Sequence, residues 1–198
     1  MLSAKIGHSL DPYVIKIFRI FFLGKHINPT IITLFGFLLG LFSFLSIVFD
    51  YLKIGGIFLI VSGYFDLLDG ALARNTRKVT VFGGFLDSVL DRYTDLLVIS
   101  GIGIHFLRGG EISSVVATIV ASIGIAIIPY AKARAQAEGL TCNTGILERP
   151  ERTILLIFGL IFGLVEYIVI ILAILSHITV LQRVIFVRKA TQLIRVSE

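Results

Sequence analysis

Apolar residues in this chain fall in long, nearly unbroken runs parted by short polar joints, not in the narrow stripes of a water-soluble fold. Residues 12 to 25 mix aromatic and aliphatic side chains with Lys16, Arg19 and Lys25, the pattern of an amphipathic helix lying in a membrane interface. The first full span is expected to open at Asn28-Pro29-Thr30, where a polar cap precedes a proline suited to the first helical turn, and to run to Asp50. Further spans are expected from about Ile54 to Leu72, Val81 to Phe106 and Ile112 to Ala133, with Gly109-Gly110 turning between the last two. The final run, Thr153 to Val187, is too long for one crossing and divides at Gly163 to Tyr167, where Glu166 is the one charge. The pattern therefore predicts an all-α polytopic membrane protein of one domain, 1–198. It has an interfacial segment over 1–27 and six transmembrane helices over 28–190.

Composition strengthens the membrane assignment. Of the 198 residues 56% are hydrophobic, and the mean hydropathy is +0.95, too apolar for an ordinary soluble domain of this length. Cys142 is the only cysteine, which excludes an intramolecular disulfide and a thiolate metal cluster within one chain. The net charge of +5 is distributed on one side of the predicted spans. Lys5, Lys16, Arg19 and Lys25, then Arg74, Arg77 and Lys78, then Lys132, Arg134, Arg149 and Arg152, and last Arg183, Arg188, Lys189 and Arg195 share that side. Only Lys53 and Arg108 fall opposite. The positive-inside bias then puts both termini and the two basic loops in the cytoplasm of a multi-pass cell-membrane protein. Topology accounts for the basic charge, so nucleic acid is not indicated as a partner.

The carboxylates change the picture most. Asp66, Asp69, Asp87, Asp91 and Asp95 lie in or beside the second and third spans. Each costs roughly 2.5–3.5 kcal/mol at a bilayer centre on insertion scales, so an intramembrane acid is read first as functional. Asp66 and Asp69 are spaced i,i+3, while Asp87, Asp91 and Asp95 follow i,i+4, so two acidic stripes can face each other. Arg74 and Arg92 are too few to neutralise them. A hard divalent cation, Mg2+ or Mn2+, bound as one ion or two, compensates such a histidine- and cysteine-free set. Gly70 and Gly83 flank the basic turn 74–78 and leave room for close approach, and Arg74 can contact phosphate oxygens. Together these features suit a diphosphate held by metal, an arginine beside it and a carboxylate able to take a proton. Carboxylates paired with cations for packing alone are the structural alternative. An ion or proton transporter is the functional one, but it calls for acids at several depths, and the last three spans offer only Glu166.

The stretch Asp66-Leu-Leu-Asp69-Gly70-Ala-Leu-Ala73-Arg74, then eight residues, then Gly83-Gly-Phe-Leu-Asp87-Ser-Val-Leu-Asp91 resembles the full signature of the CDP-alcohol phosphotransferases. The match fixes residue types at set separations, which makes it far more specific than a single glycine motif. The resemblance implies six transmembrane helices, often assembled as a homodimer, and a site with two metal ions. It implies that Asp66, Asp69, Asp87 and Asp91 are metal ligands and that Asp91 is also the general base. Gly70, Ala73, Arg74 and Gly83 would contact the CDP moiety of a CDP-lipid. Pro29, Thr30, Ile31 and Ile32, and Thr80, sit where family members commonly meet the nucleotide. Asp95, outside the signature, reads as a packing or supporting acid.

The fourth loop, Lys132-Ala-Arg134 through Gly139 and then Glu148-Arg149-Pro150-Glu151-Arg152, is similar to the phosphatidylinositol-phosphate synthase subgroup or its archaeal counterpart, the archaetidylinositol-phosphate synthases. That likeness implies inositol phosphate as acceptor, with Lys132, Arg152 and Arg183 binding its phosphate, a fitting task for a cationic pocket. Glycerol phosphate or serine are the other acceptors within the family, although a neutral acceptor leaves such a pocket without a purpose. Ester-linked and ether-linked lipid donors stay equally open. His8, His26, His105 and His177 read as structural.

Overall fold

The computed structural model describes residues 29–75 and 79–197, all helix and connecting turn. The expected interfacial helix over 12–25 lies outside the described residues. Six helices follow in order: α1 (Pro29–Val48), α2 (Leu52–Asn75), α3 (Val81–Gly109), α4 (Ile112–Ala137), α5 (Arg149–Phe162) and α6 (Val165–Ser197). Each expected span falls on one of these helices; several run a few residues past their expected ends, and α6 continues to Ser197 where Val187 was expected to close the run.

The helices wear their apolar bulk outside. On α1 the buried positions are Ile32, Gly36, Gly40, Ser43 and Ile47, a stripe of mostly small residues at three-to-four spacing. Ile31, Leu34, Phe35, Leu38, Phe42 and Leu45 face outward. Small residues let helix backbones approach, and hydroxyls then bond across the seam, which is how helices associate in lipid. Ser43 donates to the Gly55 carbonyl and Ser62 to the Gly36 carbonyl, both at 2.8 Å, stitching α1 to α2 from each side. Among the described residues, four helices are long and apolar enough to cross a membrane: α1, α2, α4 and the Val165–Gln192 part of α6. The other two differ for stated reasons. The 29-residue α3 carries Asp87, Asp91, Arg92 and Asp95, and α5 has 14 residues, about 21 Å at 1.5 Å per residue.

The joints are built from local chemistry. Thr80 caps α3, its Oγ1 accepting from the Gly83 amide at 3.0 Å. Gly110 and Gly163 end α3 and α5 with φ of 76° and 72°, left-handed conformations that glycine adopts without a Cβ clash. Gly163 is where the long final run was expected to divide. Asp50 turns α1 into α2 with φ 67°. Its carboxylate lies 2.7 Å from His105 Nδ1, a hydrogen bond that holds the carboxyl below the usual carboxylate range. Arg108 donates to the Val48 carbonyl at the end of α1.

Packing closes the six helices into a circuit in which α1 contacts α2 and α3, α3 contacts α4, α4 contacts α6, α6 contacts α5, and α5 returns to α2. The two acid-bearing helices, α2 and α3, are not packing neighbours in this circuit. Their carboxylates meet across its interior, with α1 on one flank and α5 on the other. A core of Ile47, Val98, Ile99, Ile102, Ile125, Leu160 and Leu172 fills the circuit away from the acids.

The α4–α6 seam is tight at Gly124, where an added Cβ would lie 2.0 Å from Ser176 Oγ and 2.6 Å from Ser176 Cβ. Gly124→Val is expected to cost about 1–3 kcal/mol by overpacking. A lowered melting temperature in detergent, with helix content retained before the transition, is the measurement that checks it.

Candidate functional site

Three elements bring the site together. The last turns of α2 supply Asp66 and Asp69, the first half of α3 supplies Asp87, Asp91 and Asp95, and the first turn of α5 supplies Arg149 and Arg152. Single carboxylate oxygens of Asp66, Asp87 and Asp91 lie within 4.8 Å of one another, a separation suited to a shared cation. Asp69 lines a small niche together with Asp66, Asp91, Thr33, Thr94 and Arg149.

Whether a metal suits this donor set turns on which of its oxygens are otherwise satisfied. Asp69 Oδ2 and Asp87 Oδ1 are buried and have no hydrogen-bond partner among the described residues. An unpartnered buried carboxylate oxygen is costly, and oxygens alone are what a hard divalent ion takes. The converging Asp66, Asp87 and Asp91 therefore fit a divalent cation, with the unpartnered Asp69 oxygen as a further anionic group beside them.

Arg149 sits among the acids. Its Nη1 is 2.5 Å from Asp66 Oδ2 and its Nη2 2.7 Å from Asp91 Oδ1, with Nε 3.9 Å from Asp95 Oδ1. Arg152, 2% exposed, donates from Nη2 to Asp95 Oδ2 at 2.6 Å. Arg92 reaches the same Asp95 oxygen at 3.7 Å. Asp95 is thus a buried anchor for arginines rather than part of the converging set, in keeping with the supporting role expected of it.

Beside the acids opens a cavity of about 750 Å³ between α3, α4, the start of α5 and α6. Lys132, Arg152 and Arg183, the three cations singled out from the sequence, all border it, as do Arg92 and Arg149. Glu148 lies 3.7 Å from Lys132 Nζ and 3.6 Å from Arg183 Nη2. Arg183, 2% exposed, also fixes the wall: its Nε donates to the Thr144 carbonyl at 2.9 Å and its Nη1 to the Ile128 carbonyl. The loop 138–148 is further laced to α6 by the Leu147 amide on Thr179 Oγ1. Cys142 is buried in this loop.

The residues expected around a nucleotide are more dispersed. Arg74, exposed at the end of α2, lays its guanidinium over Gly70, where an added Cβ would come within 3.1 Å of Nη1. Ala73 is half-buried. Thr80 and Gly83 are joined to each other by the α3 cap. Of the start of α1, Pro29 and Thr30 are half-buried, Ile31 faces outward, and Ile32 packs into the core with Leu68 and Leu72. Sequence reasoning missed Arg149, Glu148 and Arg92 as site residues. Arg149 and Arg152 are spaced i,i+3 and so share a helix face, a signal that was present but did not say which face met the acids.

Residues 26–186 match the family model described as CDP-alcohol phosphatidyltransferase. An archaetidylinositol phosphate synthase of Pyrococcus horikoshii is 39% identical over 168 residues, 84% of this chain and 87% of that protein. The crystal structure of Mycobacterium tuberculosis phosphatidylinositol phosphate synthase with CDP-DAG bound superposes with a TM-score of 0.78 at 29% identity, covering 89% of this chain and 92% of that one. The same mycobacterial enzyme in complex with manganese and citrate gives 0.76 at 29% identity, covering 89% and 87%.

Removing one partner of a buried ion pair strands the other charge. Asp95→Leu is expected to lose about 3–5 kcal/mol because Arg152 is left unpaired in the interior. Adding Arg152→Leu should recover much of that loss, as read by melting temperatures of both variants in one detergent. Additive losses in the double variant would contradict the pairing.

Proposed function

The chain belongs to the CDP-alcohol phosphatidyltransferase family, and from that premise we propose that it transfers the phosphatidyl-type group of a CDP-lipid to inositol phosphate and releases CMP. The observation that carries this reading is the cationic cavity. Lys132, Arg152 and Arg183 border a space of about 750 Å³ that reaches the aspartates through Arg149. An acceptor that already carries a phosphate gives those cations a partner, since guanidinium pairs with phosphate bidentately. The names of the relatives point to the same acceptor.

In this reading Asp66, Asp69, Asp87 and Asp91 hold Mg2+ or Mn2+, two ions by family resemblance, and manganese is present in the mycobacterial relative. Bound there, the metal neutralises charge on the diphosphate and on the departing CMP. Asp91 takes the proton of the acceptor hydroxyl as its oxygen attacks the lipid-linked phosphorus. The new oxygen–phosphorus bond replaces the one to CMP, which leaves with the bonding pair. Gly70, Ala73, Arg74 and Gly83 receive the CDP moiety, Gly70 because a side chain there would crowd Arg74. The start of α1, at Pro29, Thr30, Ile31 and Ile32, is the helix end at which family members meet the nucleotide, and its positive dipole end suits an anionic group, while Thr80 orders the start of α3. Lys132, Arg152 and Arg183 hold the acceptor phosphate, with Glu148 spacing Lys132 from Arg183.

All six helices, α3 and α5 included, lie within the cell membrane in this proposal. The short α5 and the acids of α3 are tolerated because both line the polar interior. Both termini and the active site face the cytoplasm, as the basic loops require, and the family resemblance implies a homodimer.

The test is CMP release by purified protein given a CDP-lipid and Mg2+, with inositol phosphate, inositol, glycerol phosphate or serine in parallel, with and without chelator. Chelator-sensitive release with inositol phosphate alone is expected. Release with a different acceptor would discard the roles of Lys132, Arg152 and Arg183, and no release with any would reopen a transport function. Asp91→Asn should cut kcat at least about a hundredfold, as loss of a general base does, and near-wild-type turnover would remove Asp91 from that role. Lys132→Gln should raise KM for inositol phosphate far more than it changes kcat.

A further inference from the structure

Among the described residues, Arg149 alone borders the acceptor cavity, the aspartate niche and an apolar groove of about 330 Å³ between α2 and α5. Two of its nitrogens are engaged on Asp66 Oδ2 and Asp91 Oδ1 at 2.5 and 2.7 Å. Those residues supply two of the three carboxylates whose oxygens converge. Mg2+ takes carboxylate oxygens at about 2.0–2.1 Å, and Mn2+ competes for similar ligands. A guanidinium kept at hydrogen-bond distance from the same carboxylates would set like charges side by side where screening is weak. Arg149 Nε is also buried without a hydrogen-bond partner, as are Arg92 Nη1 and Arg152 Nε, and all three residues border the acceptor cavity.

We propose that Arg149 and the divalent cation compete for Asp66 and Asp91, so that metal loading turns the Arg149 guanidinium into the acceptor cavity it already borders. There it joins Arg92 and Arg152 as a ligand for the acceptor phosphate. This second half rests on the phosphate acceptor proposed above; the competition does not. Arginine suits the exchange because its planar fork pairs bidentately with carboxylate and phosphate alike. Release of Arg149 also frees Asp91 Oδ1, which otherwise lies in an ion pair with the guanidinium Nη2. Metal and acceptor phosphate then favour each other's binding, and by linkage the coupling is reciprocal.

The test uses the full-length protein in detergent, stripped with chelator and titrated with Mn2+ while free ion is followed by electron paramagnetic resonance. Arg149→Gln is expected to bind Mn2+ at least about tenfold more tightly than wild type, the factor corresponding to one strong charged contact removed. In chelator the variant should melt below wild type and recover on adding Mn2+. Unchanged or weaker Mn2+ binding by Arg149→Gln overturns the competition. If that variant does not fold, Arg149→Lys takes its place: a point charge bridges two carboxylates poorly, so its Mn2+ affinity should rise by a smaller factor, and wild-type affinity overturns the proposal. Inositol phosphate should tighten Mn2+ binding by wild type and do so much less in Arg149→Gln; equal tightening in both removes Arg149 from the phosphate. Should wild type release no CMP with inositol phosphate while the Mn2+ competition persists, the acceptor reading fails and the competition stands.

Discussion

Everything in this bundle is arranged around carboxylates drawn into an apolar helix bundle, Asp69 and Asp95 buried and Asp66, Asp87 and Asp91 half-buried. Asp66, Asp69, Asp87, Asp91 and Asp95 enter the interior from two helices, and an uncompensated charge there would be expelled or would neutralise itself. The compensation comes from the first turn of one short helix, α5. Arg149 bridges Asp66 and Asp91, and Arg152 is buried against Asp95. The remaining orphaned oxygens, on Asp69 and Asp87, ask for a cation that the chain does not itself supply.

The helix circuit makes this possible. Because α1 packs against both α2 and α3 while those two do not pack on each other, the helices approach only through their acidic stripes, whose carboxylates converge to within 4.8 Å at Asp66, Asp87 and Asp91. Small residues on α1 and hydroxyl bonds across the α1–α2 seam bring the flanking wall close, while the apolar core fixes the other end of the bundle. On the far side of the aspartates the loop 138–148 is pinned to α4 and α6 by Arg183, which makes that arginine part of the cavity wall as well as part of its charge. One side chain serving both purposes ties the charge of the cavity to the position of its wall.

Much of this was legible in the chain. Run length and glycine joints located the helices, including the division at Gly163, because a segment in lipid must satisfy its backbone internally and so announces itself by unbroken hydropathy. The signature Asp66 to Asp91 pointed to the carboxylates that converge, Asp66, Asp87 and Asp91, since carboxylates inside apolar runs are too costly to persist without a compensating charge. Lys132, Arg152 and Arg183 were identified as a group and do border one cavity. Less legible was the division of labour among cations: Arg149 reads in sequence as one more positive residue of a cytoplasmic loop. Ile31 and Ile32, expected together at a nucleotide, diverge to different faces of α1, as adjacent residues on a helix must.

By itself, then, the sequence determined the membrane-embedded all-helical class, the helix boundaries to within a few residues except at the C-terminal end of α6, and the identity of the acids, all of which follow from hydropathy, local spacing and fixed residue types. Only the tertiary structure decided that α2 and α3 oppose each other without packing together, that α5 delivers Arg149 to Asp66 and Asp91, and that Asp95 anchors Arg152 instead of joining the converging carboxylates. Those pairings link residues 57 to 83 positions apart, and periodicity along a chain carries no information about which faces of distant helices will meet.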